Sequence, residues 1–239
     1  MSLELSDGQL KDDYANFIVL FFGKLKGMRL QPKGWRHFYK APIVRKLADF
    51  DPTDAQIIKT LDITSDTWKK YSQQENGSEI VKQMFSALHW HLFAQLYEHG
   101  FERFNAQYMA LDACANLATL MRFPGYPVEG LSHSRRAKAL CECTGVPEPI
   151  WIINGYLAKC RNDLVHEARY NGEPIGFANS QESTELMLEL ESFVAKVYLC
   201  LLGVRNEYTQ SECTTTGVAG FCYNEKNIYK KQKKQKKRT

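Results

Sequence analysis

The sequence predicts an all-α fold: an up-and-down helical bundle with an N-terminal, mostly helical extension and a mobile basic tail. Three observations predict it. Apolar residues recur three or four apart over long stretches, the spacing that lines one face of a helix. No stretch of strand length alternates apolar with polar residues, and no segment repeats. Proline and glycine fall singly between the periodic stretches, where they end helices and start connections.

The elements follow in chain order. Residues 10–26 are apolar at helical spacing and run up to Gly27. Residues 28–53 hold Pro32, Gly34, Pro42 and Pro52, and read as a loop-rich connection with room for one short helix. Ser65 or Asp66 is placed to cap a helix carrying Trp68 and Tyr71, and residues 73–78 form a polar break. The strongest period lies in residues 79–99, where Ile80, Met84, Leu88, Leu92 and Leu96 recur four apart. Gly100 interrupts it, and residues 104–121 carry a second stripe through Tyr108, Leu111, Ala115 and Ala118. A third helix spans residues 132–143, stopped by Gly145 and Pro147. The fourth begins after Pro149 and continues through Tyr156 to about Ala168, halted by Asn171-Gly172. The fifth, residues 181–202, turns Leu186, Leu190, Val194 and Val197 to a core. The expected division is therefore an accessory region over residues 1–78, a bundle over 79–203 and a flexible Lys-rich tail over 204–239.

Composition narrows the function. The chain has 239 residues and 44% hydrophobic residues, enough for a packed core. The longest pure apolar run, residues 17–22, is far short of a membrane span. The acidic opening Met1-Ser2-Leu3-Glu4 has no basic stretch before an apolar one, so a cytoplasmic protein is expected, not bound to membrane. Cys114, Cys160 and Cys200 sit in apolar helical stretches, and the seven cysteines include no CxxC pair. Reduced core thiols are expected, with neither a metal nor any other cofactor.

The net charge of +4 conceals an asymmetry. Lys230, Lys231, Lys233, Lys234, Lys236, Lys237 and Arg238 supply seven positive charges, and without them the body is net negative. Residues 24–46 carry eight Lys or Arg and no acid, Lys33, Arg36 and Lys40 among them, with Trp35, Phe38 and Tyr39 interleaved. Cations hold a phosphate backbone and aromatics stack bases, so both segments are candidate RNA contacts. The plainer reading is a solvated charged face beside core aromatics.

Chemistry points to the end of the fourth helix, Tyr156-Leu157-Ala158-Lys159-Cys160-Arg161-Asn162-Asp163-Leu164-Val165-His166-Glu167. An Arg followed by a polar residue, with His after a gap of four, resembles the R-x4-6-H motif of HEPN domains. Phe101-Glu102-Arg103-Phe104 followed by Tyr108-Met109-Ala110-Leu111-Asp112-Ala113 resembles the second helix of ApeA-like HEPN domains. The stretch 135–143 resembles the helix that precedes the motif, so the resemblance covers about residues 79–202. It implies a HEPN-like bundle and a metal-independent endoribonuclease acting as a symmetric homodimer. It also implies a toxin-like or antiphage effector restrained by an antitoxin or other regulatory partner. Many HEPN proteins keep the fold only for binding or assembly, so a non-catalytic RNA-binding module stands beside the nuclease.

The residues suit the chemistry in their own right. Imidazole as a residue type exchanges protons near neutrality, which fits His166 to take a proton from a ribose 2′-hydroxyl. The planar fork of Arg161 fits two phosphate oxygens. Asn162 lies one turn before His166 and is expected to orient its ring. Arg161 lies about 140° around an ideal helix from His166, so one copy is not expected to form a compact pair. The bland alternatives are a helix-capping His166 and an Arg161 paired to Asp163 or Glu167.

Other candidates carry less. Asp112 is expected to be a salt-bridged carboxylate. His91 and His99 are expected at the rim of a core helix, without metal-ligand spacing. Residues 56–70 loosely resemble a helix-turn-helix with its turn at Asp62, which would make a DNA-binding regulator.

Overall fold

The structure, a computed structural model, describes residues 13–28, 30, 49–97, 99–127, 130–175, 181–213 and 219–223. Lys33, Arg36, Lys40 and the cluster from Lys230 to Arg238 lie outside the described residues. Those described form an all-α fold. Its helices are α1 (Asp13–Leu25), α2 (Asp54–Ser72), α3 (Gly77–Ala94), α4 (Gly100–Leu120) and α5 (His133–Thr144), followed by α6 (Ile150–Ile153), α7 (Tyr156–His166), α8 (Gln181–Leu201) and α9 (Glu207–Gln210). The strands β1 (Arg169–Tyr170) and β2 (Glu173–Pro174) make one short hairpin after α7.

Helix α4 is the centre. It buries Phe104, Ala106, Tyr108, Ala110, Leu111, Ala113, Cys114, Ala115, Leu117 and Ala118, on more than one face. Its many alanines bring the backbones of α3 and α8 close on either side, which a helix with one apolar stripe cannot do. Helix α8 supplies Leu190, Phe193, Val194, Val197 and Tyr198, all at most 1% exposed. Each such side chain stabilises the fold by about 1.5–3 kcal/mol through burial. The core continues into the N-terminal part. Phe17 of α1 packs 4.7 Å from Trp68 of α2 and 5.7 Å from Phe85 of α3, ring centre to ring centre.

Three expectations are corrected. Helix α2 does not start near Ser65 but at Asp54, with Thr53 as its cap. Thr53 and Gln56 hydrogen-bond reciprocally, the Gln56 amide N–H donating to Thr53 Oγ1 and Gln56 Oε1 accepting from the Thr53 N–H. The 19-residue helix passes through Asp62 without a turn, which excludes a helix-turn-helix over residues 56–70. Its buried face runs Ile57, Thr60, Thr64, Trp68 and Tyr71; two threonines at buried positions hide the period from apolar patterning.

The fourth bundle helix is two helices. Gly155 takes a left-handed conformation, φ +74°, and Asn154 Oδ1 accepts the Tyr156 N–H, so α7 starts afresh. An Asn-Gly pair inside an apolar stretch was the signal for this break.

Residues 204–213 and 219–223 do not leave the body. Val204 and Tyr208 are fully buried and Phe221 nearly so. Phe50 packs 4.7 Å from Tyr208 and 4.9 Å from Phe221. The Tyr208 hydroxyl donates to Asp49 Oδ1 at 2.6 Å, and Ala219 bridges to Phe50. Residues 204–213 and 219–223 thus complete the core, because three spaced large side chains anchor an otherwise polar stretch. Among the described residues, no helix is long and apolar enough to cross a membrane.

Candidate functional site

Helix α7 is anchored on one side and open on the other. Leu157 and Cys160 are buried and Leu164 packs against the core, at spacings of three and four that keep them on one face. Asn162, Val165 and His166 face outward, with Arg161 half-buried. The C-terminal end is held by the hairpin. Tyr170 is buried with its ring 5.6 Å from Phe104, and the Tyr156 hydroxyl donates to Asn171 Oδ1 at 2.5 Å. Ala168 turns the chain with φ +52°, an uncommon conformation for a residue bearing Cβ.

One copy brings Arg161 and His166 together. Arg161 Nη1 lies 3.0 Å from His166 Nε2 and 3.1 Å from Asn162 Oδ1. A guanidinium has no acceptor, so Arg161 donates to both; Nε2 accepts, which puts the imidazole hydrogen on Nδ1. The expected separation around the helix is overcome by the length of the arginine side chain. Asn162 is also corrected: its amide oxygen orients Arg161, not the imidazole. Neither Asp163 nor Glu167 captures Arg161, and Glu167 pairs with Arg169 at 3.3 Å.

A second polar cluster lies behind this pair on α4 and α5. Asp112 bonds Arg136 at 2.9 Å and approaches His133 Nδ1 at 3.5 Å, the salt-bridged carboxylate that was expected. Tyr108 adjoins it, its phenol pushed up to about 12 by burial and the Asp112 charge, against Arg161 and Arg136. The Arg161 charge thus reaches from the outer pair to Tyr108 of this inner cluster. Sequence reading missed His133 and Arg136, which only the packing of α5 on α4 brings to Asp112.

A groove of about 460 Å³ flanks α7, lined by Trp90, Tyr97, Phe101, Glu102, Asn105, Ala106, Leu164 and Val165. Only Leu164 and Val165 belong to the motif; the rest comes from the end of α3, the turn after it and the start of α4.

His91 is not at a rim. It is 2% exposed, with Nε2 2.7 Å from Lys24 Nζ and Nδ1 3.1 Å from Gln107 Oε1. Cys114, Cys160 and Cys200 are buried free thiols whose acidity burial weakens, Cys114 to about 12 and Cys160 to about 11. Among the described residues, no three His, Cys, Asp or Glu side chains are grouped to hold a metal ion. No family model, curated protein or solved structure matches the chain.

Proposed function

We propose that the chain is an endoribonuclease of HEPN type, which cuts RNA by attack of a ribose 2′-hydroxyl and needs no metal. The observation that carries the reading is the contact of Arg161 Nη1 with His166 Nε2 at 3.0 Å on an open helix end. A cation and a proton acceptor side by side are what this reaction needs at the phosphate and at the hydroxyl.

The resting hydrogen bond suggests an order of events. An incoming phosphate offers Arg161 charged oxygens, stronger acceptors than imidazole. Arg161 turns to them and frees His166 Nε2, which takes the 2′-hydroxyl proton as that oxygen bonds to phosphorus. The 5′-oxygen then leaves and takes a proton from a second acid, leaving a 2′,3′-cyclic phosphate. In a homodimer the second copy's imidazole, in its protonated form, supplies that acid. Ile150 and Ile153, 66% and 64% exposed on α6 beside the motif helix, are apolar surface suited to such an interface. A cytoplasmic effector restrained by an antitoxin or regulatory partner is the setting this activity fits.

A second reading, a non-catalytic RNA-binding or assembly module, is favoured by the same resting bond, because Arg161 occupies the nitrogen that a base must keep free. One experiment separates the two. The full chain in EDTA should cleave single-stranded RNA to 2′,3′-cyclic phosphate ends, and His166→Ala should abolish this with helical circular dichroism unchanged. Binding without cleavage would leave the module reading.

A further inference from the structure

We propose that the groove beside α7 is a base-reading subsite that takes an unstacked guanine of single-stranded RNA. The inference rests on Arg161 being the phosphate contact of the proposed nuclease and names the substrate feature read next to it.

The groove adjoins that contact. Val165 and Leu164 line one wall, four and three residues after Arg161, so they follow it on the same side of α7. Four residues of helix rise are about 6 Å, within the span of one nucleotide. A phosphate on Arg161 therefore leaves its neighbouring base at the mouth of the groove. The volume of about 460 Å³ lies in the range of small-molecule sites.

The lining has the chemistry of a base pocket. Trp90, Tyr97 and Phe101 bring half-buried rings from α3, its following turn and α4. Single-stranded RNA is recognised by stacking its splayed bases on such rings. Against these faces stand two polar side chains, Glu102 and Asn105, three apart on α4 and so on one side of it. Among the described residues, Glu102 makes no hydrogen bond or ion pair; its charge is felt by Tyr97, whose phenol burial and Glu102 together push up.

A carboxylate in this position repels phosphate and selects the base edge by its donors. Guanine presents two adjacent donors, N1–H and the 2-amino group, which a carboxylate accepts in parallel, and its O6 beside them accepts from the Asn105 amide. Cytosine and adenine offer the carboxylate a single amino group. Uracil offers one N–H flanked by two oxygens that a carboxylate repels. Guanine is the base that satisfies Glu102 and Asn105 at once.

The test is binding, which does not depend on cleavage. Guanosine and uridine 5′-monophosphates are titrated into the full chain by calorimetry, with tryptophan fluorescence in parallel. The guanine nucleotide should bind at least tenfold more tightly. Glu102→Gln should bring the two within about twofold, and Tyr97→Ala, which removes a stacking ring and leaves Trp90 in place, should weaken both. Arg161→Ala should weaken both equally, because it touches only the phosphate. Equal affinity of the wild type for the two nucleotides, or discrimination that survives Glu102→Gln, overturns the proposal. So does a groove closed by a second copy, seen as nucleotide binding that appears only when Ile150→Asp with Ile153→Asp makes the chain monomeric. If RNA is cut in EDTA but the nucleotides are not distinguished, this inference fails and the nuclease reading stands. If they are distinguished but RNA is never cut, the subsite stands and the nuclease reading fails.

Discussion

Arg161 Nη1 serves Asn162 Oδ1 and His166 Nε2 at once, at 3.1 and 3.0 Å, so a single nitrogen couples the cation of the motif to its imidazole. Lysine cannot offer a phosphate the two parallel N–H groups of the guanidinium, because its ammonium is one point charge at the end of a flexible stem. Arg161→Lys should lower the initial rate of RNA cleavage about 10²–10³-fold, the cost of removing one donor aimed at developing charge. Asn162→Ala should cost less, because Arg161 keeps its contact with His166. Equal rates for wild type and Arg161→Lys would remove the bidentate role.

The buried Lys24–His91–Gln107 chain makes stability depend on pH. Burial holds the His91 imidazole well below its usual value, Lys24 adds to this, and the Gln107 bond opposes it. The unfolded chain therefore binds a proton near pH 6.5 that the native chain refuses, and this contribution to stability is lost as pH falls below that value. The slope should approach about 1.4 kcal/mol per pH unit between pH 6.5 and 5.5. Burial also lowers Lys24 to about 8, against the attraction of Asp49, Glu191 and Cys114. That group adds stability as pH rises from 8 towards 10.5. Urea unfolding at pH 5.5, 6.5 and 7.5 checks the first window, and His91→Gln should flatten it.

Assembly is read from α6. If Ile150 and Ile153 meet their copies in a second chain, the protein should sediment as a dimer at micromolar concentration. Ile150→Asp with Ile153→Asp should give a folded monomer with greatly reduced cleavage. A wild-type monomer at that concentration would remove the second imidazole from the mechanism.

Much of this fold was legible, because α1, α3, α4 and α8 turn long apolar side chains to the core at helical spacing. What was hidden had a common cause: the decisive residues lie outside any run of apolar periodicity. Thr60 and Thr64 fill core positions of α2, Asn154-Gly155 splits α6 from α7, and the return of the C-terminal segment depends on Tyr208 and Phe221 meeting Phe50. The site divides the same way. Spacing singled out Arg161, Asn162 and His166, but which of them touch is decided by side-chain length. The groove joins residues of three segments, so no local pattern announces it.

Deleting residues 230–239 removes seven positive charges. If they hold RNA, affinity should fall and the slope of log affinity against log salt should flatten, by about 0.7 for each lost phosphate contact on a single strand. Turnover at saturating RNA should hold, since α7 is untouched. Unchanged affinity at every salt concentration would move the contacts elsewhere, and neutralising Lys33, Arg36 and Lys40 would test the other basic segment.

The clasp of Phe50 by Tyr208 and Phe221 also sets when the molecule can finish folding. Tyr208 donates to Asp49 across 159 positions of sequence, and Thr60 meets Tyr223 across 163. Contacts this distant form late, because the intervening chain must first be closed into a loop. During synthesis the helix that carries Arg161 and His166 emerges and can pack while Phe50 still waits for its cover. A ribosome that stalls before Tyr208 would therefore release a chain with its motif helix made and an aromatic face open, a species prone to aggregate.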